Sequence, residues 1–433
     1  MGKEKRNGKN KYVIVIHIPF AITEEGCYAV DTLWGWDLEA YCTSGFFNDL
    51  LIVGPRDYDY DKEKYPFVFN KGANISFYNL YSWKNTISSV DTGLVSRVRR
   101  LVEFIEQLPA ITWKLWNEMR SWDVIHSNPI FYPPVGILAN ILGYFRGKKR
   151  VFVFDADIAS VMELQIRSES KPKALLLMLL KTIYSITVRF CVRTSQVTIV
   201  LGNALFERYR SSGNVFMVHA SWVRERDIVS AQELEEKLSE LGGSNLRLML
   251  ASSLIRQKGV EYAIEAARIL VKEMRIGASL DIYGQGAMRS MLGDLVERYG
   301  LSGVVRFKGV IPYGDQFYAA LRTHDCLLIP NLTGELPRVL FDALANGAAV
   351  IASNIEAINA VVSDGQNALL VRPGDASEIA GGVKNLDEDR ELLKQLTRTG
   401  VDTAKMFTRE SRVMEIEEII RRTLDAKLVT TER

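Results

Sequence analysis

The chain has 433 residues, more than a single hydrophobic core normally supports, so two domains of roughly 200 residues each are expected. Hydrophobic residues are 47% and charged residues 24%, which excludes a wholly disordered or fibrous chain. The formal charge of +2 gives no mandate for nucleic-acid binding, but it is divided unevenly: residues 1–220 carry 27 Lys and Arg against 21 Asp and Glu, net +6, and residues 221–433 carry 27 against 31, net −4.

The basic start Met1-Gly2-Lys3-Glu4-Lys5-Arg6 leads into no apolar run, so neither a leader peptide nor a first membrane span is expected. Arg6 stands where a myristoylation start needs Ser or Thr. Cys27, Cys42, Cys191 and Cys326 show no paired spacing for zinc or a redox dithiol, which suits a reduced, cytoplasmic setting. Strands are expected at Tyr12–Ile18, Leu50–Val53, Val124–His126, Arg150–Phe154 and Val197–Leu201. Helical patterns fill 95–120, 134–145 and 171–193 between them, and this alternation implies a parallel sheet built from βαβ units.

The second half repeats the grammar. Strands are expected at Leu246–Ala251, Ala278–Tyr283, Val304–Phe307, Cys326–Ile329, Ala349–Ala352 and Ala368–Val371. Helices are expected near 259–273, 287–299, 314–322, 337–346, 355–363 and 376–387. The polar stretch 221–245 reads as a linker between an N-terminal domain, 1–220, and a C-terminal domain, 246–410, with 411–433 as a terminal helix and tail. No period of 20–50 residues recurs, which excludes a solenoid or propeller. The fold class is α/β, two Rossmann-like domains in tandem, with a ligand cleft expected where their strand ends face each other.

Three loops of the second half carry the chemistry. Gly334-Glu335-Leu336-Pro337-Arg338-Val339-Leu340-Phe341-Asp342 follows the strand ending before Pro330. Pro337 suits a first helical turn and Gly347 a C-terminal cap, so the amides of about residues 338–340 and the positive end of the helix dipole would form a seat for a diphosphate. Glu335 and Asp342 read either as solvated residues at a helix start or as acceptors for sugar and ribose hydroxyls. The second loop places Arg256, Lys258 and Gly259 beyond a strand, where the two cations can neutralise a diphosphate. The third, Gly284-Gln285-Gly286, lets backbone approach a flat base or a phosphate.

Over about residues 245–410 the order and spacing of these loops resemble the donor-binding domain of retaining GT-B glycosyltransferases of family 4. Members of that family typically read Glu-Gly-Leu-Pro-Arg-x-Leu-x-Glu-Ala-Met-Ala-x-Gly. Here Gly334 and Glu335 are exchanged and Asp342 replaces the second Glu. Ser253 stands at the usual Arg, and Asn354–Ala360 replaces a glycine-rich turn. The resemblance implies transfer of a sugar from a nucleoside-diphosphate sugar to a saccharide or lipid-linked acceptor, in surface polysaccharide or glycolipid assembly, with no metal and no bound cofactor. It implies that Lys258 and Glu335 are catalytic and that Arg256, Gly259, Gly284, Gln285, Pro337, Arg338, Val339, Leu340 and Asp342 bind the donor. The departures favour an alternative, a catalytically silent GT-B protein that binds a nucleotide sugar or a partner enzyme. A nucleotide-sugar epimerase or a phosphorylase would keep the fold and change the reaction.

The first half resembles that family only loosely. His17–Gly26 occupies the place of its glycine-rich acceptor loop, and Asp155-Ala156-Asp157 the place of a family histidine. Asp155 and Asp157 read as catalytic carboxylates or as a cap for the following helix. His17 and His126 read as acceptor contacts, or His126 as a satisfied core histidine. The apolar stretch 171–193, interrupted by Lys181 and Arg189, reads as a buried helix on the sheet or as an interfacial helix of a peripheral protein at the inner face of a membrane. Trp113, Trp116 and Trp122 share that ambiguity.

Overall fold

A computed structural model describes residues 11–44, 50–83, 94–154, 157–168, 171–219, 221–240, 245–332 and 336–430, which leaves Asp155 and Glu335 outside the described residues. The chain forms two compact units, Met1–Val218 with Val413–Arg433, and His219–Arg412.

Unit 1 is built on the strands β1 (Tyr12–Val15), β2 (Ala21–Ile22), β3 (Tyr28–Val30), β4 (Leu50–Asp57), β5 (Phe67–Val68), β6 (Ile75–Trp83), β7 (Val124–Ser127), β8 (Lys149–Val153), β9 (Val197–Leu201) and β10 (Val215–Val218). Its helices are α1 (Thr32–Thr43), α2 (Leu94–Glu118), α3 (Val135–Phe145), α4 (Ile158–Ser168), α5 (Lys171–Thr194) and α6 (Asn203–Tyr209). Seven strands form one parallel sheet in the order β10-β9-β8-β7-β1-β4-β6, and β2-β3-β5 form a small antiparallel sheet. Every residue of β1 is buried, and alternate residues feed opposite faces. Tyr12, Ile14 and Ile16 pack with Leu38 and Tyr41 of α1, while Val13 and Val15 pack with Ile111, Leu115 and Trp122. The sequence pattern did not predict β6, β10 or the small sheet.

Unit 2 contains α7 (Ala231–Glu240), β11 (Leu246–Ala251), α8 (Val260–Arg268), β12 (Ala278–Tyr283), α9 (Arg289–Arg298), β13 (Val305–Gly309), α10 (Asp315–Thr323), β14 (Cys326–Ile329), α11 (Val339–Ala345), β15 (Ala349–Ser353), α12 (Glu356–Asn359), β16 (Leu369–Val371), α13 (Ala376–Glu388) and α14 (Arg390–Met406). Its six parallel strands run β13-β12-β11-β14-β15-β16. Leu248 and Leu250 enter the core under α8 and α13, and Met249 enters the one under α10 and α11. In both sheets the strand order runs outward in opposite directions from the first strand, which makes its carboxyl end a switch point where open α/β sheets hold ligands.

Two boundaries differ from the sequence reading. Residues 221–240 fold as part of unit 2: Val223 joins the core of Met249 and Leu327, the Val229 amide donates to Ala345 O at 2.8 Å, and α7 buries Leu238 and Lys237. Its polar outer face had the composition of a linker. The Lys237 ammonium donates to His324 O at 2.7 Å, and burial lowers its pKa to about 7. At the other end α15 (Arg409–Thr430) is no free tail. Val413, Ile416, Ile420 and Leu424, at helical spacing, lie in the unit 1 core with Tyr12 and Ile14.

Candidate functional site

The carboxyl ends of β11, β12 and β14 are stitched together by their backbones. Ser252 N donates to Tyr283 O at 3.0 Å, Leu254 N to Gln285 O at 2.9 Å, and Leu332 N to Gln257 O at 2.9 Å. Two glycines make this possible. Gly284 has φ +134° and a Cβ there would sit 1.8 Å from Ser252 O, while Gly259 has φ +60° and a Cβ there would sit 2.1 Å from Pro330 O. The turn Arg256–Lys258, closed by left-handed Gly259, is thereby fixed between the loops after β12 and β14. Arg256 is exposed and Lys258 half-buried.

Next to this clamp lies a pocket of about 300 Å³. Ala251–Ser253 and Tyr283–Gln285 supply one wall, and Val310, Ile311, Tyr313 and Phe317 supply another. An apolar wall opposite a backbone-rich one suits a planar ring that also needs hydrogen bonds at its edge. Gln285 is exposed there, and its amide can donate and accept.

Asp342, in α11, is 3% exposed and accepts a hydrogen bond from the Tyr313 hydroxyl at 2.9 Å. Burial raises its pKa to about 7 against the opposing hydrogen bond, with Asp227 adding to the rise and Arg338 countering it. Burial and the Asp342 charge also raise the Tyr313 phenol. Tyr313 turns its hydroxyl inward, yet the residue stays 37% exposed and lines the pocket. Trp222 meets it edge-on at 5.8 Å, and the Arg338 guanidinium lies 3.7 Å from the Trp222 ring centroid.

Two expectations are corrected by this arrangement. Asp342 is enclosed under Tyr313 and is not displayed to a ribose. The Leu340 amide donates to Pro337 O at 3.0 Å, so it is not among the amides left to seat a diphosphate as expected. Pro337 is buried, Val339 half-buried and Arg338 exposed. Trp222, Tyr313 and the pocket wall at Val310 and Ile311 escaped the sequence reading, since nothing in their local pattern marks them.

In unit 1, His17 follows β1 and Asn128 follows β7, so they share the switch point of that sheet. Asn128 Nδ2 lies 3.4 Å from His17 Nδ1, and burial lowers the His17 pKa to about 4. Asn128 was not singled out from sequence, although it stands two residues beyond His126. His126 itself is 7% exposed, its Nδ1 is 3.0 Å from the Tyr12 hydroxyl, and the rings of Tyr12 and Tyr41 meet it edge-on. Burial lowers its pKa to about 4 as well. It is a core histidine and not an acceptor contact. Asp157 caps α4, accepting from Ser160 N at 3.1 Å and from Ser160 Oγ at 2.6 Å, and it pairs with Arg208 at 2.7 Å. Burial works to raise its pKa, and the bonds from Arg208 and Ser160 outweigh it, leaving the pKa lowered. The capping alternative therefore describes Asp157 better than a catalytic one. Among the described residues no group of three His, Cys, Asp or Glu side chains is placed to hold a metal ion.

Residues 231–402 match the family model described as glycosyl transferases group 1. This stretch of unit 2 is similar to group 1 glycosyl transferases. It contains Arg256, Lys258, the pocket, Arg338 and Asp342, and Trp222 precedes it.

Relatives agree with this domain. An uncharacterized glycosyltransferase of Methanocaldococcus jannaschii is 30% identical over 33% of this chain and 36% of its own length. A lipopolysaccharide core biosynthesis glycosyltransferase, LpsE, of Rhizobium meliloti is 29% identical over 38% of this chain and 46% of its own length. The chain thus spans less than half the length of these curated relatives. Two solved structures superpose over both units: sucrose-phosphate synthase from Thermosynechococcus elongatus, with a TM-score of 0.62 at 16% identity, and Anabaena HepE in complex with UDP, with 0.61 at 14%. Each covers 96% of this chain and 100% of the other. The fold is GT-B, as the resemblance implied, with the two Rossmann-like units that the strand pattern led one to expect.

Proposed function

We propose that this chain is a retaining glycosyltransferase that moves a sugar from a nucleoside-diphosphate sugar to a saccharide or lipid-linked acceptor, on the cytoplasmic side, in surface polysaccharide or glycolipid assembly. The observation that carries this reading is the backbone clamp of Gly259 and Gly284, which brings Lys258 and the pocket to the strand ends of a domain similar to group 1 glycosyl transferases. The rhizobial relative is named for lipopolysaccharide core biosynthesis, and HepE was crystallised with UDP.

In this mechanism the base lies in the pocket against Val310 and Ile311, with its edge toward Gln285. The diphosphate lies at Lys258 and Arg256 and at the Val339 amide that opens α11. As the glycosidic bond breaks, negative charge grows on the leaving diphosphate, and a fixed ammonium beside it stabilises the transition state more than the ground state. These cations take the place of a metal ion. Glu335 orients the sugar, and His17 with Asn128 in unit 1 contacts the acceptor. Tyr313 shields Asp342, which acts from behind by holding the pocket wall.

A second reading, a silent subunit that binds a nucleotide sugar without turnover, is favoured by the enclosure of Asp342 and by Ser253. Incubation with UDP-, GDP- and ADP-sugars and candidate acceptors separates the two. Product with the donor's anomeric configuration supports transfer with retention; a raised melting temperature with no product supports the silent subunit and overturns the enzyme.

A further inference from the structure

Helix α5 carries no Asp or Glu and five cations, Lys171, Lys173, Lys181, Arg189 and Arg193. One side of its C-terminal half is fixed to the sheet. Tyr184, Val188, Cys191 and Val192 lie in the core with Phe152 and Phe154, and the Tyr184 hydroxyl donates to Pro129 O at 2.7 Å. The other side is uncovered: Leu175, Leu176, Met178, Leu179, Ile183 and Ile186 are between 54% and 70% exposed. At about 100° per residue, Leu175, Leu179, Ile183 and Ile186 fall within an arc of about 80°, so they form one stripe. By the same spacing Lys171 and Arg189 edge it on one side and Arg193 falls in line with it, while Lys173 falls in line with Cys191 on the sheet side. Lys181 points away from the stripe and pairs with Glu163 at 2.8 Å.

The uncovered surface continues across neighbouring helices. Phe190 meets Tyr144 of α3 at 5.2 Å, Phe145 beside it is 68% exposed, and Arg146 lies 3.9 Å from the ring centroid of Trp116 on α2. Trp113, one turn away on α2, is 68% exposed. Trp122 is fully buried and takes no part. The sequence expectation that 171–193 is simply a buried helix therefore holds only for one side of its C-terminal half.

We propose that this face of unit 1 rests on an anionic lipid surface, with the α5 stripe in the headgroup and acyl boundary and Lys171 and Arg189 on lipid phosphates. The helix is long and apolar enough to cross a bilayer, but its attachment through Tyr184–Val192 prevents lipid from surrounding it. It lies in the interface and does not span. Long cationic side chains reach from an apolar stripe to headgroups, and Trp and Tyr prefer that depth. A second copy of the chain fits less well, because a two-fold contact would set the cations of one α5 against those of the other with no carboxylate on the helix between them.

Co-sedimentation with vesicles tests this. The unmodified chain should bind vesicles of equal parts phosphatidylglycerol and phosphatidylcholine, bind pure phosphatidylcholine more weakly, and lose most of the anionic preference in high salt. The exposed-site variants L175E/L179E/I183E and K171E/R189E, checked for an unchanged melting temperature, should each weaken binding about tenfold or more. Failure of the unmodified chain to bind anionic vesicles overturns the proposal even where a variant fails to fold. So does a folded stripe variant that binds undiminished, or a vesicle-independent dimer that the stripe variant dissociates.

Discussion

The Tyr313 hydroxyl donates to Asp342 Oδ1 at 2.9 Å, joining the connection before α10 to helix α11 and closing a carboxylate inside unit 2. The folded-state pKa of Asp342, about 7, lies above its ordinary 3.8. Its contribution to stability is therefore full below the unfolded value and is lost as pH rises through the folded one. A shift of this size corresponds to about 4 kcal/mol. The Asp342 contribution should fall between about pH 4 and pH 7, read as the difference in denaturant unfolding of unit 2 between the unmodified chain and Asp342→Asn across that range. Tyr313→Phe leaves the carboxylate without this donor and should cost about 1–3 kcal/mol at neutral pH.

Lys258 stands on a turn whose backbone is fixed at both ends beside the pocket. Lys258→Ala should lower turnover by about two orders of magnitude, the scale for losing one preorganised charge contact. Initial rates with the donor identified by the nucleotide-sugar panel check this, and near-normal rates would remove Lys258 from the mechanism. Lys258→Arg keeps the charge and should restore part of the loss.

Asp157 provides the contrast. Its oxygens are taken up by Ser160 and Arg208. Asp157→Ala should cost about 1–2 kcal/mol through the lost helix cap. Turnover per folded molecule should change less than threefold, on the order of half a kcal/mol of barrier. A loss of turnover comparable to that of Lys258→Ala, with stability retained, would return Asp157 to the reaction.

Strands buried on both faces were the most legible parts of the chain. Leu246–Ala251, Ala278–Tyr283 and Cys326–Ile329 each fold with the limits read from sequence; Arg247, Ser279 and Asp281 interrupt two of them, but glycine, proline or polar residues bound all three. At the edges of the unit 1 sheet the signal fails: Ser76, Asn79 and Ser82 break the apolar run of β6, and β10 is only four residues long. In α7 the carboxylates of Glu233, Glu235 and Glu236 conceal the inward-facing Leu238. The glycine loops of the site were readable because their constraint is local, a backbone with no room for a Cβ. The enclosure of Asp342 was not readable, because it depends on Tyr313 and Trp222, which only the folded unit brings beside it.

His126 sits in the core of unit 1 with its pKa lowered from 6.5 to about 4. The unfolded chain takes up the proton first, so this contribution is present above pH 6.5 and is lost as pH falls toward 4. The expected loss is about 3 kcal/mol. His126→Gln, which retains an acceptor for Tyr12, should unfold less steeply across that range while costing about 1–2 kcal/mol at neutral pH. Circular dichroism during acid titration of both proteins gives the comparison. His17 shifts the same way, so the single substitution should remove part of the acid sensitivity and leave the remainder.

Gly259 tests whether the clamp itself makes the site. Its φ of +60° disfavours any L side chain, and a Cβ there would meet Pro330 O at 2.1 Å, a backbone atom that cannot swing aside. Gly259→Ala should therefore cost about 1–3 kcal/mol and push the Lys258 turn away from the loop after β14. If that turn positions the diphosphate, nucleotide affinity measured by calorimetry should fall about tenfold or more even where the variant remains folded, since a displacement near 1 Å is enough to lose a preorganised contact. Gly72, also at positive φ but with open space around it, supplies the control: Gly72→Ala carries the conformational strain alone and should leave nucleotide affinity unchanged. Equal effects from the two substitutions would mean that the close approach at Pro330 has no part in building the site.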